Sequence, residues 1–357
     1  MARDQKLSVG ILGLSHLHPR SYMTLFRAIP GVDVIAASEA DPAVREDFVK
    51  DFHVRGYSGW QELLEKERLD LAVVFLPHAD CPEAAVACAE HGAHVVVEKP
   101  MAASAEGVRR MIAAAEKAGV ILSSPYVWRC HPVAQEMRRF VEGGVTGRIV
   151  GCEGRCAAGR LSRYIDGHAS WMLEKARSGG GPMFNLGVHW IDLYRWLLSD
   201  EVVEVIGKTV RVNQQYDFED NCFAFLSFSR GAVLALDISY TVPDSYPFGR
   251  DLYLAVRGTG GVLSWSPSFE GVKERLFVCS DSGEYSQPAH QHVDFELPPQ
   301  PGYAGVMGLR FLSDLVESIR TGKPPAITGY DGLRALEVAE AIYQSAESGR
   351  SVKLQSR

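Results

Sequence analysis

The first forty residues alternate between buried strands and an amphipathic helix, and this alternation restricts the fold more than any other feature. Leu7–Leu12 is a mostly apolar segment of strand length, Pro19–Ile29 has the periodicity of a helix, and Val32–Ala37 is a second apolar strand. Strands buried on both faces form a parallel sheet, because each crossover helix covers one face. The turn Gly13–His18 is therefore expected at the carboxyl edge of the sheet, where such folds bind ligands.

The same alternation continues along the first third of the chain and predicts a Rossmann-type, doubly wound parallel α/β sheet. We expect further helices over residues 41–51, 60–66, 82–91 and 105–118, and strands over residues 69–75, 94–97 and 120–123. From residue 148 the pattern changes to strands joined by tight glycine turns, at residues 149–156, 202–212, 221–228, 232–240, 252–257 and 262–265, followed by helices at 307–321 and 332–348. We therefore predict a Rossmann domain of residues 1–124 and an α+β domain of residues 125–357 with a large open, mainly antiparallel sheet.

Length and charge restrict the class of protein. A chain of 357 residues exceeds what one hydrophobic core usually supports, which agrees with two domains. The formal net charge of -7 gives no basic surface for nucleic acid, and no apolar segment is long enough to span a bilayer. The N-terminal residues lead into the first strand without an apolar signal segment, so we expect a cytoplasmic protein. The seven cysteines lie mostly in apolar segments and are predicted to be reduced thiols.

A carboxylate follows the second strand. Glu39 lies about twenty residues beyond the first strand's turn, the spacing at which an acidic side chain binds the adenosine ribose of a dinucleotide. Its charge would repel a 2′-phosphate, so Glu39 favours NAD over NADP. The turn itself departs from the three-glycine fingerprint, because Gly13 is present but Ser15 and His18 occupy the other two positions.

Several histidines accompany these strand ends. His16 and His18 stand on the turn, and His78 follows Leu76 and Pro77 at the end of another strand. Two histidines at this spacing on a turn do not face one another as they would one helical turn apart, so we predict no metal site. Donation of an imidazole N–H toward a phosphate or the substrate is the interpretation that we favour. Cys152 and Cys156 also lack the second close pair that would complete a zinc site.

The strand His94–Val97 ends in Glu98, Lys99 and Pro100. An ammonium group is rarely buried without a partner or a task, so Lys99 is a candidate for chemistry at the sheet edge. A solvated charge pair that ends the strand is the alternative.

A glycine triplet, Gly179–Gly181, precedes a second polar group. Asn185, His189 and Asp192 are spaced for one face of a helix, and flexible glycine backbone before them would allow close approach of a ligand. Asp192 could instead form an ion pair with Arg195 or cap a turn. An interior helix has no structural need for imidazole, so His189 is the stronger candidate.

Together these residues resemble the glucose–fructose oxidoreductase and inositol dehydrogenase family, known as Gfo/Idh/MocA. The resemblance covers nearly the whole chain. The motifs that carry it are Glu98-Lys99-Pro100, the glycine triplet, Asn185, Gly187, His189 and Asp192, with support from the segments 126–132, 143–147, 220–221, 257–261, 338–345 and 349–352. The chain departs from the family at Ser15 and His18, and at Cys81, where the family has a histidine.

The resemblance implies roles for individual residues. Lys99 would lie beside the nicotinamide and hold the substrate oxygen, and His189 would act as the general base. Asn185 stands where the family often has aspartate and would orient the substrate or His189. Glu98 would support Lys99 or the nicotinamide ribose, and the family's sharp turn suggests a cis bond before Pro100.

The resulting candidate sites are as follows. The predicted cofactor-binding residues are Gly13, Ser15, His16, His18, Glu39, Leu76, Pro77, His78, Glu98, Lys99 and Pro100. The predicted substrate-binding residues are Lys99, Tyr126, Arg129, Arg163, His168, Asn185 and His189, among which Arg163 and His168 belong to an arginine-rich segment that suggests an anionic substrate.

These features predict an NAD-dependent oxidoreductase that acts on a secondary hydroxyl of a sugar, cyclitol or sugar acid. Two alternatives remain: an NAD-dependent glycosidase or eliminating enzyme that oxidises its substrate only transiently, and a non-catalytic regulator that binds the dinucleotide. Lys99 and His189 together favour an enzyme over a regulator. We expect a homodimer or homotetramer, because the open sheet is predicted to expose an apolar face that carries Phe223, Phe225, Leu234 and Leu236 or their neighbours.

Overall fold

The structure, a computed structural model, describes residues 6–243, 245–268 and 272–355. The chain forms two compact units, and each unit is assembled from separate stretches. The first unit comprises the residues up to 127 together with 162–179 and 300–334, and the second comprises 128–161, 180–299 and the residues from 335 onward. Each unit includes residues beyond 125. The predicted domain boundary between residues 124 and 125 therefore stays a prediction.

A six-stranded parallel sheet forms the centre of the first unit, with the strand order β3-β2-β1-β4-β5-β6. This order, with β1 in the interior and the chain winding outward in both directions, confirms the predicted doubly wound fold. The strands are β1 Leu7–Leu12, β2 Val32–Ser38, β3 Arg55–Tyr57, β4 Leu71–Val74, β5 His94–Val97 and β6 Leu122–Ser123.

Helices follow the strands of this sheet and continue through the rest of the chain. In chain order they are α1 Pro19–Arg27, α2 Pro42–Phe52, α3 Trp60–Lys66, α4 Cys81–Glu90, α5 Ala105–Ala118, α6 Pro132–Glu142, α7 Ser162–Asp166, α8 Lys175–Ser178, α9 Val188–Leu198, α10 Val306–Thr321 and α11 Gly329–Ser348.

Local sequence sets where these helices begin. The Asp41 carboxylate accepts hydrogen bonds from the backbone N–H groups of Ala43 and Val44, which caps α2. Ser104 caps α5 by accepting from the N–H of Gly107. All four side chains of β4 are fully buried, so this strand lies inside the sheet and its carboxyl end opens onto the edge that holds the site.

A nine-stranded sheet forms the centre of the second unit, in the order β14-β13-β12-β11-β7-β10-β9-β8-β15. The pair β7 and β10 is parallel and the other pairs are antiparallel, which confirms the mainly antiparallel prediction. The strands are β7 Ile149–Ala158, β8 Val202–Val210, β9 Asn221–Phe228, β10 Val233–Ser239, β11 Arg250–Gly258, β12 Gly261–Trp265, β13 Lys273–Ser280, β14 His290–Glu296 and β15 Val352–Lys353.

One face of this second sheet is open to solvent, but two of the four residues predicted to lie on that face are buried. Phe223 and Phe225 on β9 are 42% and 58% exposed, as expected. Leu234 and Leu236 on β10 are buried, because they pair in register with Leu226 and Ala224, whose side chains point to the covered face. The exposed apolar stripe consists of Ile206, Val210, Phe223, Phe225 and Val233.

Two further predictions can be compared with the structure. All seven cysteines are free thiols, and most of them are buried, as predicted. Within the described ranges, no helix combines the length and the apolar character needed to cross a membrane.

Candidate active site

A cleft of ≈ 400 Å³ opens at the carboxyl edge of the first sheet, and we call it the edge cleft. The ends of β1, β2 and β4 contribute its walls, which is the usual position of a ligand site in an open parallel sheet. Predicted cofactor residues that line it are Gly13, Ser15, Glu39, Leu76 and Pro77. Trp171 and Arg177 also line it, and sequence reasoning missed both.

Gly13 is the one glycine of the fingerprint that the turn after β1 retains. Its φ of +88° lies in the left-handed region, and a Cβ placed there would lie 3.0 Å from the carbonyl carbon of Phe75. A side chain at this position would therefore clash with the backbone that follows β4 at the edge cleft.

Glu39 is held firmly at the end of β2. Its Oε2 accepts hydrogen bonds from the backbone N–H groups of Leu14 and Ser15, each at 2.8 Å, and its Oε1 accepts from the N–H of Asp41 at 3.1 Å. The carboxylate therefore supports the turn after β1 and lines the edge cleft at the same time. Carboxylate oxygens have about four lone-pair sites, so one remains for a ribose hydroxyl.

Trp171 closes the turn after β1 from the other side. Its indole N–H donates to the carbonyl oxygen of Ser15 at 2.8 Å. A fixed aromatic partner thus holds a turn that lacks two of its three glycines. The short segment that carries Trp171 has no pattern that marks it as part of a nucleotide site, and this explains why sequence reasoning missed it.

His16 and His78 are buried imidazoles whose tautomers follow from their hydrogen bonds. Nδ1 of His16 accepts from the N–H of His18 at 3.2 Å, so the neutral ring carries its proton on Nε2. Nδ1 of His78 lies 2.7 Å from the carbonyl oxygen of Ser178, which can only accept, so His78 carries its proton on Nδ1. The rings lie 5.9 and 4.8 Å from the Trp171 ring.

Burial keeps both imidazoles neutral. It lowers the pKa of His16 well below its ordinary value, and it lowers the pKa of His78 to about 3. Nε2 of each ring has no hydrogen-bond partner among the described residues. The first unit therefore holds a buried N–H donor on His16 and a buried acceptor on His78, and neither ring is among the residues that line the edge cleft.

Glu98 follows β5 and is 2% exposed. Burial raises the pKa of its carboxyl, and nearby His16 and Lys99 act in the opposite direction. Nδ1 of His18 lies 3.3 Å from Oε2 of Glu98, so the residue directly before α1 reaches the end of β5. The His18 ring also packs on Tyr303, with the ring centroids 4.1 Å apart.

Lys99 is 4% exposed and stands at the same strand end. The bond between Lys99 and Pro100 is cis, which confirms the prediction. Met101 follows with a φ of +80°, and its N–H donates to the carbonyl oxygen of Glu98 at 2.9 Å. This tight turn places a carboxyl and an ammonium group on adjacent residues in the interior of the first unit, so a solvated charge pair is wrong for this strand end.

The second unit carries the other predicted catalytic side chains. Asn185 lies in a π-helical turn over Met183–Gly187, and His189 lies in the first turn of α9. Both side chains are buried. The Asn185 amide donates to the hydroxyl of Tyr240 at 2.9 Å, so a tyrosine on the second sheet fixes its orientation.

Asp192 has a different partner from the predicted one. It forms a buried, bidentate ion pair with Arg129, in which Nε of Arg129 lies 2.7 Å from Oδ2. The predicted partner, Arg195, pairs with Glu201 at 2.6 and 2.8 Å. The charge of Arg129, a predicted substrate-binding residue, is thus balanced inside the protein.

The glycines before Asn185 serve packing. A Cβ on Gly181 would lie 2.1 Å from the carbonyl oxygen of Glu219, and a Cβ on Gly180 would lie 2.7 Å from the hydroxyl of Tyr343. The expected close approach of a ligand is therefore replaced here by a close approach of the protein's own chain.

The remaining predicted substrate residues lie apart from the edge cleft. Arg163 donates to the Tyr164 hydroxyl at 2.9 Å and stacks over that ring. His168 is exposed and lines a separate cavity of ≈ 290 Å³ that His16 also borders. Tyr126 is fully buried in the first unit. The structure thus brings five of the eleven predicted cofactor residues to the edge cleft and leaves Arg163 and His168 outside it. The predicted cofactor residues that do not line the cleft are His16, His18, His78, Glu98, Lys99 and Pro100.

Comparison with known proteins adds a family to this geometry. The model described as "Oxidoreductase family, NAD-binding Rossmann fold" matches residues 7–126, and the model described as "Oxidoreductase family, C-terminal alpha/beta domain" matches residues 138–354. Both models carry the name Gfo/Idh/MocA.

Individual relatives resemble the chain over almost its full length. The scyllo-inositol 2-dehydrogenase (NAD(+)) of Bacillus subtilis is 24% identical, with 98% of this chain and 97% of that protein covered. The D-apiose dehydrogenase of Paraburkholderia graminis is 27% identical, with 98% and 89% covered. The crystal structure of aldose-aldose oxidoreductase from Caulobacter crescentus, complexed with glycerol, superposes with a TM-score of 0.82 at 26% identity and covers 98% of this chain and 100% of that chain.

Proposed function

The chain belongs to the Gfo/Idh/MocA oxidoreductase family, and on that premise we propose that it transfers hydride between NAD and a secondary hydroxyl or ketone of a sugar, cyclitol or sugar acid. One observation carries the proposal. The first unit combines an edge cleft that holds Glu39 with a buried Lys99 at the end of β5. A binding module would need the first feature alone, whereas an ammonium group buried at a strand end is suited to catalysis.

The described residues fit a bound dinucleotide. The edge cleft opens beside Gly13, whose missing side chain leaves room at the turn. Ser15, Leu76 and Pro77 line the same cleft at the ends of β1 and β4. When bound, NAD supplies the hydride acceptor for oxidation of an alcohol.

Charge at Glu39 supports the preference for NAD. Its carboxylate is fixed by three backbone N–H groups, so it cannot turn away from a phosphate on the adenosine ribose without breaking them. A 2′-phosphate would meet this negative charge, whereas the ribose hydroxyls of NAD can donate to it.

Lys99, His189 and Asn185 are assigned separate tasks. The Lys99 ammonium donates to the substrate oxygen and stabilises the alkoxide as it forms. His189 takes the proton of the substrate hydroxyl as general base. Asn185 cannot accept a proton, and its amide, held by Tyr240, orients the substrate or His189.

The working form proposed for the protein is a homodimer or homotetramer in the cytoplasm. The exposed stripe around Phe223 and Phe225 supports assembly, because apolar faces of this kind are usually covered. The free thiols agree with a reducing compartment.

A screen of sugars, cyclitols and sugar acids for NADH formation tests the proposed function. We expect at least one of these substrate classes to reduce NAD. We also expect NADP to be a poorer hydride acceptor than NAD. Product formation without net NADH would identify the transient-oxidation mechanism. Binding of NAD without turnover of any substrate would identify a regulator and contradict the proposed enzyme.

A further inference from the structure

If the proposed function holds, the edge cleft has to accept the two negative charges of a dinucleotide pyrophosphate. In a glycine-rich turn, backbone N–H groups do much of this work. In this chain, the N–H groups of Leu14 and Ser15 already donate to Glu39, and the N–H of His16 donates to the carbonyl oxygen of Leu14. The N–H of His18 donates to the His16 ring, and the next residue is a proline, which has no N–H.

The imidazoles near the turn do not supply the missing positive charge. Burial lowers the pKa of both His16 and His78, so both are neutral at physiological pH. They can hydrogen-bond to a ligand, but they cannot balance a phosphate. Glu39 adds a negative charge to the same cleft. A cation from outside the turn is therefore required.

Arg177 meets this requirement. Among the described residues that line the edge cleft, it is the one with a positively charged side chain. It shares the cleft with Ser15 and Pro77, which lie at the ends of β1 and β4 where a pyrophosphate crosses the sheet edge. A guanidinium group is suited to this task, because its planar fork binds phosphate oxygens in pairs.

The backbone at Arg177 is held in place while its side chain is not. Its carbonyl oxygen accepts from the N–H of Ala79 at 3.1 Å, and the next carbonyl, of Ser178, is bonded to His78 at 2.7 Å. The guanidinium reaches Glu174 only at 3.7 Å, and both side chains are about half exposed. An exposed pair at this distance contributes little, so it can be exchanged for a phosphate at small cost.

We propose that Arg177 binds the pyrophosphate of the dinucleotide and takes the place of the engaged backbone N–H groups of the turn after β1, which are those of Leu14, Ser15, His16 and His18. This inference rests on the proposed function. It makes Arg177 a determinant of cofactor affinity that acts equally on NAD and NADP, because the pyrophosphate is common to both. The choice between the two cofactors remains with Glu39.

Calorimetric titration of the full-length protein with NAD and with ADP-ribose tests the proposal. We expect Arg177→Gln to weaken the binding of NAD and of ADP-ribose by the same factor. That factor should be about tenfold to a hundredfold, as for loss of a hydrogen bond to a charged group. Arg177→Lys should recover part of the affinity, because it restores the charge without the fork. Lys175→Gln is the matched control, since it removes an equal charge from the same short helix outside the cleft and should leave the dissociation constant unchanged.

A salt series separates a direct charge contact from a structural effect. The dissociation constant of the wild type should rise more steeply with ionic strength than that of Arg177→Gln, because the variant lacks the screened attraction. If the wild type binds NAD and Arg177→Gln binds it equally well, the role of Arg177 is refuted and the proposed function stands. If the wild type binds neither ligand, the proposed function fails, and the role of Arg177 fails with it.

Discussion

The two turns that follow β1 and β5, at the same edge of the first sheet, differ in how their polar groups are stabilised. In the turn after β1 the backbone polar groups already have hydrogen-bond partners. The N–H groups of Leu14 and Ser15 donate to Glu39, and the carbonyl oxygen of Ser15 accepts from Trp171. The neighbouring His16 is neutral. The turn after β5 retains ionisable side chains, Glu98 and Lys99, in an interior that disfavours charge. A turn of the first kind maintains a shape, whereas a turn of the second kind stores electrostatic free energy that a reaction can use.

The substitution Lys99→Met should have the largest effect and should show most clearly that the two turns have different roles. With the ammonium removed, no charged donor stabilises the developing alkoxide, and kcat should fall about 10²- to 10³-fold, as for removal of one oxyanion donor. The dissociation constant of NAD should change by a smaller factor than kcat, because the turn after β1 is untouched. Steady-state kinetics with a substrate from the screen, together with calorimetry, measure the two quantities.

The matched control for that experiment is Lys66→Met, which removes an exposed lysine paired with Glu62 on α3. It should leave both kcat and affinity unchanged. Wild-type turnover by Lys99→Met would show that the turn after β5 is structural and would remove the contrast with the turn after β1.

Glu39→Ala should act on the turn after β1 with a smaller effect. Three backbone N–H groups lose their acceptor and the ribose loses its partner, so NAD binding should weaken about tenfold to a hundredfold. NADP should lose less, because the repulsion of its 2′-phosphate disappears. Calorimetry with both cofactors gives the ratio of dissociation constants.

Glu39→Gln tells the two tasks of this side chain apart. The amide oxygen can still accept from the turn, but the charge is gone. We expect most of the NAD affinity to remain and the discrimination against NADP to decline. Equal discrimination by Glu39→Gln and the wild type would mean that shape, and not charge, excludes the 2′-phosphate.

Both turns could be placed from sequence because the strands before them are short, apolar and regularly spaced. The helix predicted over residues 105–118 and the strand predicted over 221–228 coincide with α5 and β9. The strands β13 and β14 were missed, because β13 begins with three consecutive charged residues and β14 is mostly polar, with no fully buried side chain to mark its inner face.

The partners of the two turns could not be placed in the same way. Trp171 and Arg177 stand more than 150 residues beyond Ser15 in the chain, on helical segments of four residues each. No periodicity in the sequence predicts that a segment so far along the chain lies beside the turn after β1. The tautomers of His16 and His78 likewise depend on single acceptor and donor atoms that only the folded chain identifies.

Glu98→Gln tests the claim that the turn after β5 stores free energy, and its effect should be the smallest of the three. Because the folded pKa of Glu98 is raised, the folded chain holds this proton at pH values where the unfolded chain has released it. Folded wild type therefore loses stability as the pH rises from the ordinary carboxyl pKa through the raised one. The amide cannot titrate, so Glu98→Gln should be more stable than wild type by about 1 kcal/mol above that window and nearly equal to it below, in keeping with the cost of an unsatisfied buried polar group. Urea unfolding from pH 4 to 8 measures the difference, with exposed Glu65→Gln as the control. Parallel profiles for wild type and Glu98→Gln would mean that Lys99 and His16 fully compensate the buried carboxyl. The turn after β5 would then store no more electrostatic free energy than the turn after β1.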